Sequence, residues 1–163
     1  MGRGIGLLAE ENQMARSFSN WSKWAERTTL NGLNYPGIYV IAISRRDISG
    51  TPFQWCSEIV YIGMTNAKGG LKSRLKQFDN TIKGGDGHGG GQRFRFKYPN
   101  HNRIVPLLYI AVCPFKCDVT SNNPVDLRIM GNVAKQEYEC FAVFVDMFGK
   151  LPEFNDKKRS PKK

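Results

Sequence analysis

PGIYVIAI (36–43) and EIVYIGMTNAKGGLKSRLKQF (58–78) decide how this chain folds. Each contains a short run rich in Ile, Val and Tyr, the composition of a β-strand, over Gly37–Ile43 and Ile59–Gly63. Each also sets a glycine near a tyrosine: Gly37 precedes Tyr39, and Gly63 follows Tyr61. The connection between them carries Arg45, Arg46, Asp47, Gly50 and Pro52, which suits a hairpin with a long loop. Behind the second run, Leu71, Leu75 and Phe78 recur at spacings of four and three. That pattern predicts a helix over Ala67–Phe78, with Lys72, Arg74 and Lys76 on its other faces.

Working outward, Phe18, Trp21 and Trp24 fall at three-residue intervals and predict a helix over Asn12–Leu30, ended by Asn31-Gly32. KGGDGHGGG (83–91) holds six glycines, the signature of a mobile loop or of a backbone that must approach a ligand closely. Its Gly85, Gly87 and Gly90 match G-x-G-x-x-G, but without a strand before or a helix pattern after, the match carries nothing. QRFRFKY (92–98) alternates in strand fashion, Phe94, Phe96 and Tyr98 against Arg93, Arg95 and Lys97, and Arg103–Val112 reads as a further, apolar strand. Asn123-Pro124 opens a helix that runs to about Phe148 and stops at Gly149. The expected organisation is an N-terminal helical extension (1–33), a domain over 34–155 with a Gly-rich basic insertion at about 83–103, and a basic tail (156–163).

The 163 residues suit one domain, and 40% hydrophobic residues suffice for a core. A formal net charge of +10 favours a polyanionic partner. Nine basic and two acidic residues lie between Lys68 and Arg103, directly behind the tyrosine strands. The apolar run Ile5–Ala9 is too short for a signal peptide and meets Glu10 and Glu11, and no stretch approaches a membrane span. A soluble, cytoplasmic protein without membrane partners is expected. Cys56, Cys113, Cys117 and Cys140 are too irregularly spaced for a disulfide framework. Cys113 and Cys117, even with His88 or His101, lack a second ligand pair for zinc.

Gly-Ile-Tyr at 37–39, Tyr-Ile-Gly at 61–63, a helix bearing Arg74, a later helix with Glu137 and a terminal Pro-Glu-Phe-Asn resemble the GIY-YIG nuclease family over about residues 36–155. The resemblance implies an α/β (α+β) fold with a small antiparallel three-stranded sheet flanked by helices. It implies a metal-dependent DNA endonuclease, with Mg²⁺ as cofactor and Mn²⁺ as a substitute. By that resemblance Tyr61 is the general base and Tyr39 positions water or phosphate, although family members differ in which tyrosine serves. Arg74 grips the scissile phosphate, Glu137 holds the metal, His88 polarises the nucleophile, and Asn155 hydrogen-bonds around the active-site strands. Lys72, Lys76, Arg93, Arg95 and Lys97 are the expected DNA-binding residues.

The chemistry independently calls for these residue types. Phosphodiester hydrolysis needs an activated water, neutralisation of charge on the phosphate and help for the leaving oxygen. A tyrosine ionises near pH 10 and is a poor base until a neighbouring cation favours phenolate. Between the adjacent acids Glu137 and Glu139, helix phase selects Glu137, because Cys140, Phe141, Phe144 and Phe148 continue its face as an apolar stripe. From Glu139 the same steps reach Ala142, Val143, Asp146 and Lys150, a face that turns polar.

The compact chain suits a restriction-like or structure-selective enzyme acting on double-stranded or branched DNA, with a homodimer as one way to cut both strands. The alternative is a non-catalytic nucleic-acid-binding module of the same fold. An interfacial membrane binder would need an exposed apolar face on a basic helix, and the apolar faces here read as core-directed.

Overall fold

In the computed structural model, which describes residues 14–158, Ile, Val and Ala alternate around Tyr39 to make β2 (Gly37–Ile43), the most buried strand pair being completed by β4 (Leu108–Pro114). With β1 (Ser22–Lys23) and β3 (Ile59–Thr65) they form one four-stranded antiparallel sheet of order β1-β4-β2-β3. The chain is thus mixed α/β, as expected, but the sheet has four strands where three were expected. The fourth is the two-residue β1, whose Ser22 and Lys23 pair with Ile110 and Tyr109.

Strand periodicity sends alternate side chains to opposite faces. On one face Tyr39, Ile41, Tyr61, Leu108, Ile110 and Val112 meet α1 (Gly70–Ile82) and α2 (Gly89–Lys97). On the other, Ile38, Val40, Ala42, Ile62, Tyr109 and Ala111 meet Val133, Cys140 and Phe144 of the long α4 (Pro124–Phe148). Regular pairing of Tyr39 with Gly63 and Ile41 with Tyr61 keeps both tyrosines on the α1/α2 face, and a bulge just beyond, where Ala42 faces Ile59, turns Ile59 to the α4 face.

Three expected elements are corrected. The described part of the Asn12–Leu30 helix is helical only at 14–16, followed by β1 and a 3₁₀ helix over Trp24–Thr29; residues before Met14 lie outside the described range. Extended backbone here satisfies partners a helix could not: Ser19 N–H bonds Val112 O (2.8 Å), and Trp21 exchanges bonds with Thr51 and Gly50. Phe18 and Trp21 go to one sheet face and Trp24 to the other, so a three-residue spacing served a strand crossing rather than one helix face.

QRFRFKY is helical, not extended. α2 starts inside the glycine run, capped by the His88 side chain accepting from Gly91 N–H (3.1 Å). Helical phase sets Phe94 tilted against Tyr98 and edge-on to Phe154, and leaves Phe96 51% exposed. The glycine-rich segment is therefore in part an ordered helix start rather than a mobile loop.

The strand expected from Arg103 begins only at Leu108. Before it come a short helix, α3 (His101–Ile104), and a 3₁₀ turn over Val105–Leu107. β4 is bordered on both sides, and Pro106 inside it would delete a ladder donor, so the proline is kept in the turn ahead. The remaining elements match closely. α1 starts at Gly70 and extends a turn past Phe78, while α4 spans the expected Asn123 cap to Gly149, which has φ +75°.

Candidate active site

Cross-strand pairing sets Tyr39 opposite Gly63 and Ile41 opposite Tyr61. Tyr39 is fully buried and Tyr61 is 8% exposed, their ring centroids 5.9 Å apart. Both need a neighbouring glycine. A Cβ on Gly63 would come within 2.7 Å of Tyr39 Cε1, and one on Gly90 within 2.6 Å of Tyr61 Cζ. The glycine run thus does bring backbone close to something: the ring of Tyr61.

His88 is 1% exposed and packs edge-on to Tyr61 and Phe78. Its Nε2 lies 2.7 Å from Tyr39 Oη. Burial, with the charges of Arg74 and Arg93 adding to it, pushes its pKa down to about 3, so the ring is neutral near pH 7. Because Nδ1 accepts the Gly91 N–H, the ring hydrogen must reside on Nε2 and be donated to Tyr39 Oη. Both nitrogens are thereby committed inside the protein. Any influence of His88 on a nucleophile runs through Tyr39.

This fixes the sense of the phenol pair. Tyr39 receives a hydrogen from His88, so its own proton is directed elsewhere, and its hydrogen bond to Tyr61 favours the ionised form of Tyr61. Burial raises both phenols above the usual tyrosine range, Tyr39 by much more. Arg74 opposes the rise at both, and Arg93 opposes it at Tyr61. Tyr61 is the more readily ionised of the two.

Arg74 projects from α1, half-buried, with Nη1 on Gln77 (2.9 Å) and a buried Nε that has no partner among the described residues. Its charge acts on Tyr39, Tyr61, His88 and Glu137, so it is the central cation of the cluster. Glu137 comes from α4, which packs on the opposite sheet face, and lies near enough to Arg74 and Tyr61 for charge to act between them. It is half-buried, whereas Glu139 is exposed. Burial raises the Glu137 pKa and Arg74 works against that rise.

Asn155 stands apart from the phenols and clamps β3. Its Oδ1 accepts from Ile62 N and its Nδ2 donates to Ile62 O, each at 2.8 Å. Lys72 and Lys76 are exposed on α1. Arg93, Arg95 and Lys97 have internal partners: Arg93 Nε donates to Phe154 O (2.8 Å), Arg95 Nη1 to Thr81 O (2.7 Å) and Gly85 O (2.6 Å), and Lys97 pairs with Glu153. Arg93 is 6% exposed.

Sequence reasoning passed over Asn66. It follows β3 directly, donates to Met130 O on α4 (3.0 Å), and holds a buried Oδ1 without a partner among the described residues. Its signal was an asparagine at the end of the Tyr-Ile-Gly strand, which also marks any ordinary turn.

Among the described residues no group of three or more His, Cys, Asp and Glu surrounds a metal. Glu137 alone fits a divalent cation, as a partly desolvated carboxylate that no described residue meets in a hydrogen bond or salt bridge. Comparison with protein-family models, curated proteins and solved structures finds no match to this chain.

Proposed function

We propose that this protein is a Mg²⁺-dependent DNA endonuclease of the GIY-YIG type, restriction-like or structure-selective, acting on double-stranded or branched DNA. The observation that carries the reading is the convergence of Tyr39, Tyr61, His88 and Arg74 on one sheet face, with Glu137 brought near Arg74 and Tyr61 from another helix. Buried tyrosines are common. Two phenols, a neutral donor imidazole and a carboxylate, each under the charge of Arg74, suit phosphodiester hydrolysis.

In this reading His88 Nε2–H holds Tyr39, and Tyr39 in turn biases Tyr61. Tyr61 Oη, once its own proton has been lost to solvent with Arg74 and Arg93 favouring the phenolate, takes the proton from the attacking water. Arg74 neutralises charge on the scissile phosphate. Glu137 holds the cation, which supplies charge stabilisation at the phosphate and leaving oxygen when bound. Lys72 and Lys76 meet the DNA backbone beside the site. No helix among the described residues is long and apolar enough to cross a membrane. A soluble, cytoplasmic setting is part of the same proposal.

The test is plasmid DNA incubated with the protein and Mg²⁺ or Mn²⁺. Nicking or linearisation that EDTA abolishes and Mg²⁺ restores is the expected result. Full cleavage in exhaustively chelated buffer overturns the metal role. Tight DNA binding with no cleavage under any divalent cation leaves the non-catalytic binding module instead.

A further inference from the structure

The outer face of α4 carries an apolar stripe that the described fold leaves largely exposed, with Phe141 alone packed partly against the core. Leu127, Gly131, Ala134, Tyr138, Phe141 and Val145 follow one another at alternating spacings of four and three, the repeat that lines a helix–helix seam. Leu127 is 49%, Tyr138 73% and Val145 39% exposed, Gly131 and Ala134 are exposed, and half-buried Phe141 lies edge-on to Tyr138 (6.1 Å). Gly131 is a mid-helix glycine with open space where a Cβ would stand. The single chain gains nothing from it and loses about 1 kcal/mol of helix propensity relative to alanine. A close-approaching second helix would use that gap.

We propose that this stripe is the interface of a twofold homodimer, with α4 packed antiparallel against α4 of a second copy. Charge selects the occupant and the orientation. The exposed flank beside the stripe bears Arg128 and Lys135 in its first half and Glu139 and Asp146 in its second. An antiparallel copy puts Arg128 opposite Asp146 and Lys135 opposite Glu139, while a parallel copy gathers like charges. The same pairing sets Leu127 across from Val145, Ala134 across from Tyr138, and the Gly131 gap across from the Phe141 ring. The surface is complementary to itself, as an isologous contact requires. DNA is a poor occupant, because α4 carries four acidic residues (Asp126, Glu137, Glu139, Asp146) against two basic ones in a chain of net charge +10. The proposal does not depend on the nuclease reading. If both hold, the two Glu137 carboxylates flank the twofold axis and one dimer presents two sites to one duplex.

Sedimentation equilibrium on the full chain tests it. The expected mass is twice 18.4 kDa at micromolar concentration. Tyr138→Glu, at an exposed position, should weaken the dimer by about 30-fold or more while circular dichroism and melting stay those of a folded protein. Lys135→Glu should weaken it, and Lys135→Glu with Glu139→Lys should restore it. Paired cysteines at Ala134 and Tyr138 should cross-link two copies. A monomer at high micromolar concentration, a dimer indifferent to Tyr138→Glu, or a charge swap that fails to rescue overturns the proposal.

Discussion

At the scale of single residues, the Tyr39–His88 contact sets two expectations. His88 has a folded-state pKa of about 3 against an ordinary value near 6.5, so the unfolded chain binds the extra proton first as pH falls. Its contribution to stability is whole above about pH 6.5 and is lost progressively toward pH 3, by at most about 1.4 kcal/mol per pH unit. Denaturant melts across that window should show a shallower pH slope for His88→Asn, which keeps a cap acceptor for α2, than for the native chain. Equal slopes would mean that His88 is not held neutral. The second expectation separates the two acids. Glu137→Ala should lower Mg²⁺-dependent cleavage by several orders of magnitude and leave DNA binding in metal-free buffer nearly unchanged, whereas the exposed Glu139→Ala keeps most activity. The reverse outcome would move the metal site by two residues and deny the observed helix phase.

At the scale of elements, α2 is what turns two tyrosine strands into an enclosed site. Its first turn carries Gly90 because the Tyr61 ring lies against it, and its last turns bind back to α1 and to the Glu153–Asn155 turn through Arg95 and Arg93. Gly90→Ala must move either the helix start or the Tyr61 ring. Cleavage should fall by at least tenfold while the melting temperature drops by only a few degrees, a combination that activity assays and calorimetry read separately. Arg95→Ala should act in the opposite proportion. It strips the Thr81 and Gly85 carbonyls at the end of α1 of a charged donor, and a loss of roughly 1.5–3 kcal/mol is expected in chemical denaturation. Wild-type stability in that variant would show the contact to be idle.

At the scale of the whole molecule, charge is distributed by element. Of the nine basic residues between Lys68 and Arg103, Arg93, Arg95, Lys97 and Lys83 have protein partners and Arg74 is half-buried, which leaves exposed Lys68, Lys72, Lys76 and Arg103 as the solvent-facing excess, two of them on α1. DNA affinity should fall steeply with salt, and Lys72→Gln with Lys76→Gln should reduce the log–log slope by about 0.9 for each phosphate that is no longer neutralised. An unchanged slope would place the electrostatic footprint elsewhere. The exposed stripe of α4 bears none of those basic residues, while Glu137 beside it belongs to the proposed active site.

The sequence by itself determined the strands Gly37–Ile43 and from Ile59, the helix that follows them, and the long helix from its Asn123 cap to Gly149. These signals are local: side-chain period, β-branched content and cap residues act within a few neighbours. That Tyr39, Tyr61, Arg74 and Glu137 belong to one site was implied by the resemblance of their motifs, and helix phase chose Glu137 over Glu139. Only tertiary structure decided the rest. QRFRFKY satisfies a strand period and a helix face equally well, and Phe94 packing on Phe78 and Phe154 chose the helix. Phe18, Trp21 and Trp24 share a helical spacing, yet β4 offered backbone partners that drew the segment out straight. His88 and Arg93 looked like solvent-facing polar groups, and their burial follows from contacts with Tyr39 and Phe154, 49 and 61 residues away in the chain. A residue's local pattern carries no trace of a partner that distant.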